Sequence, residues 1–159
     1  MFRIPDGYRF HAVFHLSFAI LLGWSPITRR LLKVKRKAKP RIDEVEDGGR
    51  AGVTEEAVSA LVFAHAAQHS YFKGSTSIDY ELLRTIKMMI SPFEVRARSP
   101  REWEAVILKS YDVWRQMREH RGGVFVGDAV AGTVAYEPSP RPGRIKSSSR
   151  RASKRTPRA

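Results

Sequence analysis

Two histidines near the middle of the chain have the spacing of a metal-binding pair. His65 and His69 lie four residues apart, which places both imidazoles on one face of a helix. In metalloprotease helices of this kind, a glutamate between the histidines acts as general base, but here the intervening residues are Ala66, Ala67 and Gln68. The pair alone supplies only half of a tetrahedral shell. We therefore predict no metal site and no other cofactor, and expect His65 to be a hydrogen-bonded residue of the core.

A second candidate for chemistry is the pair Arg115 and His120. An arginine can stabilise phosphate charge while a histidine moves a proton. The Arg-x4-His spacing resembles that of the HEPN family of small helical ribonucleases, in which such a pair acts on RNA in a dimer cleft. The resemblance covers six residues of 159, and Gln116 departs from the residue more usual after that arginine. It implies an RNA-cleaving domain. We favour the alternative, a helix end stabilised by basic side chains, and predict no catalytic residues.

The rest of the sequence excludes several classes of site. The chain has no cysteine, which excludes disulfide scaffolds, thiolate zinc sites, iron–sulfur clusters and cysteine nucleophiles. Its glycines form neither a dinucleotide-binding nor a Walker pattern, and no Gly-x-Ser-x-Gly elbow is present. We predict a cytoplasmic protein, because the lack of cysteine fits that compartment.

The net charge of +13 is concentrated at the two ends of the chain. Residues 1–53 contain 11 Lys/Arg and 5 Asp/Glu, residues 54–137 contain 10 and 11, and residues 138–159 contain 8 and none. Such basic arms attract polyanions. The predicted nucleic-acid-binding residues are Arg29, Arg30, Lys33, Lys35, Arg36, Lys37, Lys39, Arg41, Arg150, Arg151, Lys154 and Arg155.

Between the arms, apolar residues at helical spacing predict two helices. The first begins with Thr54 as its cap and ends at Gly74, and the second covers about 78–90. Residues 93–98 then alternate apolar and charged side chains, which indicates a short strand.

The third predicted helix has the strongest local signal. Ser99, Pro100 and Glu102 match a capping box with proline at the first helical position, and Gly122-Gly123 marks the end. A β-hairpin is expected at 123–136, with Gly127-Asp128 as its two-residue turn.

Residues 10–24 are the most apolar stretch of the chain, and their role is open on sequence alone. They are fewer than the roughly 20 residues needed to cross a bilayer. They fit an amphipathic or buried helix, or a membrane contact in which the basic residues that follow meet anionic headgroups. A natural start of the protein downstream of this stretch is a third interpretation.

These observations predict a mainly α fold, a small three-helix domain with a C-terminal β-hairpin and a possible third short strand. Residues 1–52 would form an apolar segment, basic arm and linker, residues 53–137 the core, and residues 138–159 a disordered basic tail. The leading hypothesis is a non-enzymatic accessory protein whose core contacts a protein partner or a second copy, while its arms contact nucleic acid. The alternatives are RNA cleavage by Arg115 and His120, and membrane-peripheral attachment through residues 10–41.

Overall fold

The chain folds into helices that surround one long C-terminal helix, followed by a hairpin. A computed structural model describes residues 10–34 and 40–139. The mainly helical class with a C-terminal hairpin is confirmed. The α-helices are α1 (Ala12–Ser17), α2 (Pro26–Leu31), α3 (Pro40–Glu46), α4 (Gly49–Gln68), α5 (Tyr80–Met89) and α6 (Pro100–Glu119). A π-helical turn (Phe18–Leu22) continues α1, 3-10 turns cover Ser70–Phe72 and Glu94–Ala97, and the strands are β1 (Val124–Asp128) and β2 (Thr133–Glu137).

Helix α6 is the centre of the core. It contacts α1, α5 and β2, and Trp103, Val113 and Trp114 along it are fully buried. The predicted capping box is confirmed, since the Ser99 side chain accepts from the Glu102 backbone N–H and the Glu102 carboxylate accepts from the Ser99 N–H. These hydrogen bonds, together with those from Arg98, lower the pKa of Glu102 below its usual value. The carboxylate's share of the cap is therefore present at neutral pH and lost as the pH falls through that lowered pKa.

Helix α4 has different bounds from those predicted. It begins at Gly49, and Thr54 lies inside it, where its hydroxyl donates to the carbonyl of Arg50 instead of capping the helix. The helix ends at Gln68 and not at Gly74, because the backbone of residues 70–72 turns into the left-handed region, with φ of 52–57°. Phe72, within this turn, is buried like the apolar residues of the helix. Apolar spacing alone therefore predicted a helix that is too long.

The possible third strand at residues 93–98 is wrong. Glu94–Ala97 forms a 3-10 turn, and the sheet of the described residues consists of β1 and β2. The alternation arose because Phe93 and Val95 are both buried while Glu94 and Arg96 are exposed. Lys87 Nζ donates to the carbonyl of Arg98 at 2.6 Å and also to that of Arg96. These two carbonyls therefore accept from a lysine side chain and not from the backbone of a neighbouring strand.

The hairpin lies where predicted, but its turn is further along the chain. Gly127 and Asp128 belong to β1, where they pair with Val134 and Thr133. The connection covers 129–132, and Asp128 Oδ1 accepts from the backbone N–H groups of residues 130 and 131, an Asx-type turn. Gly132, with φ of 63°, supplies the left-handed residue that the turn needs.

The N-terminal segment is part of the core. Its buried apolar side chains pack with those of α4, α5 and α6, and they are Val13, Phe14, Phe18, Leu22 and Trp24. The predicted boundary at residue 53 is therefore corrected: it falls inside α4, and the described part of residues 1–52 is not separate from the core. Of the predicted tail, Pro138 and Ser139 follow β2 without regular structure, and residues 140–159 lie outside the described residues.

Among residues 10–34 and 40–139, none of the helices has both the length and the apolar character needed to cross a membrane. Insertion of residues 10–24 into a lipid surface would require their buried side chains to leave the core.

Candidate functional site

A buried glutamate joins the N-terminal segment to α4. Glu55 is fully buried on α4, and its Oε1 lies 2.8 Å from His15 Nδ1 and accepts from Ser25 Oγ at 2.6 Å. Its other oxygen accepts from the backbone N–H of Ile27 at 2.8 Å. We call these groups the Glu55 cluster. Two donors and an adjacent imidazole around one carboxylate offset much of the cost of its burial.

A second set of side chains adjoins this cluster on its solvent side. His11 at the start of α1 and Glu56 on α4 are half-buried, and His15 lies between them. One ligand atom from each of the three residues lies within 4.8 Å of the other two. His15 Nε2 is 3.4 Å from Glu56 Oε1. The α1–α4 donor set, as we call these three residues, therefore offers two imidazole nitrogens and a carboxylate oxygen around one point.

This donor set is not evident from the sequence alone. His11 and His15 have the same four-residue spacing as His65 and His69, so half of the signal was present. The carboxylates are about 40 residues away, and only the fold brings them to α1.

A second buried carboxylate connects the N-terminal segment to the opposite end of the core. Glu46, at the end of α3, accepts from Trp24 Nε1 at 3.3 Å and from the backbone N–H of Glu94 at 2.9 and 3.1 Å. Arg98 Nε donates to the carbonyl of Leu22 at 3.1 Å, where the π-helical turn ends. These contacts bind residues 22–24 to the segment between α5 and α6.

Four of the predicted nucleic-acid residues lie in the described part of the chain. Arg29 forms an ion pair of 2.9 Å with the Asp47 carboxylate, and Arg30 donates to the Asp47 carbonyl at 3.4 Å. Lys33 and Arg41 are exposed. The remaining predicted residues lie outside the described residues, and they are Lys35, Arg36, Lys37, Lys39, Arg150, Arg151, Lys154 and Arg155.

The histidine pair on α4 is stacked. The rings of His65 and His69 have centroids 4.2 Å apart, and His69 Nδ1 lies 2.8 Å from the carbonyl of His65. Burial and then the neighbouring His69 lower the pKa of His65, and Asp79 opposes this shift. His65 is half-buried and also contacts the ring of Phe72, so it packs at the edge of the core.

The structure does not bring Arg115 and His120 together. Arg115 donates to the carbonyl of Tyr71 at 2.6 Å, while the His120 ring stacks on Tyr136 of β2 with centroids 5.4 Å apart. Five residues on a helix correspond to a rotation of about 140°, so the two side chains leave α6 in different directions. Within this chain, Arg115 and His120 therefore have different partners.

The tryptophans of α6, Trp103 and Trp114, could in principle stack on bases, but both are fully buried. An open groove of about 530 Å³ lies between α6 and the residues around Gly74. Its polar lining includes Lys109, Asp112 and Arg115, but Asp112 lies 3.5 Å from each of the two cations and offsets their charge.

The chain was also compared with known proteins. The model of the MazG C-terminal domain family matches residues 2–140, a stretch that extends from before α1 to just beyond β2. No curated protein and no solved structure matches the chain. The match includes both the N-terminal segment and the helices that it packs against. Since it covers far more than half of the chain, the protein belongs to the MazG C-terminal domain family.

Proposed function

We propose that this protein is a non-enzymatic accessory domain that contacts nucleic acid through its basic segments and a protein partner through its helical core. The observation that carries the proposal is the density of basic residues in the segment 29–41. Eight of its thirteen residues are Lys or Arg. The Arg29–Asp47 ion pair connects the end of α2, where the segment begins, to the residue after α3.

The charge distribution supports the same proposal. Residues 54–137 are nearly neutral, with 10 Lys/Arg and 11 Asp/Glu, so attraction to a polyanion has to come from the flanking segments. Contacts of this kind are made to phosphates and do not depend on base sequence. They weaken as salt concentration rises, because each contact releases condensed counterions.

A protein contact is supported at the C-terminal end of α2, a helix that packs against α4 of the core. Leu31 and Leu32 are 76% and 66% exposed, and Lys33 follows them. Exposed apolar side chains that are adjacent in space commonly mark interaction sites. Membership of the MazG C-terminal domain family is consistent with a small helical accessory protein.

The test is the salt dependence of binding to a labelled oligonucleotide of mixed sequence, measured by fluorescence anisotropy. The triple variant carries Lys35→Gln, Arg36→Gln and Lys37→Gln. The control removes three charges from exposed side chains outside the basic segment, through Lys73→Gln, Arg96→Gln and Arg101→Gln. If each removed residue contacts a phosphate, the slope of log K against log salt falls by about 1 per residue, or about 3 in total. The control should keep the wild-type slope.

Two results would overturn the proposal. One is equal loss of binding in both triple variants, which would mean that net charge and not the basic segment determines affinity. The other is the absence of binding at low salt by the wild-type chain.

A further inference from the structure

The α1–α4 donor set contains a buried nitrogen whose position calls for a partner. His15 is 3% exposed, and within the described residues its Nε2 makes no hydrogen bond. Buried polar atoms are nearly always satisfied by protein, water or an ion. Glu56 Oε1 lies 3.4 Å from this nitrogen, and the centroid of the His11 ring is 5.7 Å from that of His15.

The Glu55 cluster determines which nitrogen of His15 carries the lone pair. Glu55 Oε1 lies 2.8 Å from Nδ1, and the same carboxylate is fixed by Ser25 and by the backbone N–H of Ile27. A neutral His15 therefore donates from Nδ1 to the carboxylate and presents the unprotonated Nε2 to Glu56 and His11. A carboxylate that orients a histidine in this way is the usual outer partner of a metal-ligating imidazole.

The distances suit a metal ion of ordinary size. Two ligands bound tetrahedrally at about 2.0–2.1 Å are about 3.3–3.4 Å apart, which is the separation of His15 Nε2 and Glu56 Oε1. The third ligand atom, from the half-buried His11, lies within 4.8 Å of the other two, so a small movement of this side chain would bring three ligands around one ion. We propose that His11, His15 and Glu56 bind a divalent transition-metal ion, with Zn²⁺ as the best fit.

The donor types select this class of metal. Imidazole nitrogens suit Zn²⁺ and its neighbours in the first transition row, whereas Mg²⁺ and Ca²⁺ prefer oxygen ligands. Three protein ligands leave one tetrahedral position for water or an exchangeable ligand, since His11 and Glu56 are both partly accessible. The ion would also connect α1 to α4, because two ligands come from the first helix and one from the second. Binding to the folded state alone would raise its stability.

The experiment uses the full chain after removal of metal with a chelator. Zn²⁺ is added in a calorimetric titration, and Co²⁺ is added in a parallel absorption titration that reports tetrahedral coordination. The variants are His11→Asn and Glu56→Gln, whose partly exposed side chains can change without opening the core. The matched control is His69→Asn, from the other histidine pair of the chain.

We expect one saturable Zn²⁺ site in the wild-type chain, with a visible Co²⁺ spectrum and a Tm that rises when Zn²⁺ is present. His11→Asn and Glu56→Gln should each lower affinity by more than about tenfold and remove the rise in Tm, with an unchanged circular dichroism spectrum in the metal-free state. His69→Asn should behave as wild type. The absence of saturable binding would overturn the proposal, as would affinity that is lost in His69→Asn and retained in the other two variants.

Discussion

A single side chain, Glu55, connects parts of the protein that are 28 to 40 residues apart in sequence. Its carboxylate is fully buried and accepts from a backbone N–H and a hydroxyl, with an imidazole 2.8 Å away. Transfer of an unpaired carboxylate into the core costs several kcal/mol, so these partners are what make its burial possible. Removal of one of them should therefore be costly.

We predict that Glu55→Gln destabilises the protein by about 1–3 kcal/mol, because the amide must turn an N–H₂ group toward a donor and lose at least one hydrogen bond. The free energy of unfolding is measured by urea denaturation with a chelator present, so that bound metal does not contribute.

The control for this prediction is Glu81→Gln, the same chemical change at a glutamate whose side chain is 63% exposed and pairs with Arg84. Its effect should stay within about 0.5 kcal/mol. Equal effects of the two substitutions would show that the Glu55 cluster adds nothing to stability.

At the scale of elements, α6 is the helix whose limits follow most directly from local chemistry. Its capping box satisfies backbone N–H groups that have no partner within the helix, and proline occupies the first position, where it removes no hydrogen bond. We predict that Ser99→Ala lowers the free energy of unfolding at pH 7 by about 1 kcal/mol, within a range of about 0.5–2. Denaturation of Ser91→Ala, at an exposed serine outside the helices, serves as the comparison and should show almost no change. A cap that contributes nothing would give the same midpoint for both variants.

Local signals of this kind explain which elements could be predicted. Helices α5 and α6 and the hairpin follow from apolar spacing, caps and glycine positions, all of which operate within a few residues. The turn of the hairpin was misplaced because Gly127 belongs to β1, where a Cβ would meet the end of the Ile20 side chain. The strand predicted at 93–98 failed because alternating burial does not distinguish a strand from a 3-10 turn that buries Phe93 and Val95.

The role of the N-terminal segment could not be predicted, because its partners are remote in sequence. An apolar run can be satisfied by a protein core or by a membrane, and nothing within residues 10–24 distinguishes the two. The distinction comes from two glutamates that are remote in sequence. The Glu55 carboxylate contacts His15 and Ser25, and the Glu46 carboxylate accepts from Trp24. The donor set of His11, His15 and Glu56 escaped prediction for the same reason.

At the scale of the whole molecule, the central claim is that residues 10–34 and the later helices form one core. The family match to residues 2–140, which includes sequence on both sides of residue 53, agrees with this arrangement. A segment that packs Phe14, Phe18 and Trp24 against the rest of the core should open only when the core opens.

The most direct measurement of this claim is native-state amide hydrogen exchange on the full-length chain, compared between the N-terminal segment and α6. We predict that the amides of Phe18 and Leu22 exchange with opening free energies close to those of Ile107 and Trp114, and that the agreement persists as denaturant is added. An N-terminal segment that exchanges rapidly while α6 remains protected would contradict the account, because residues 10–34 would then be an arm outside the core.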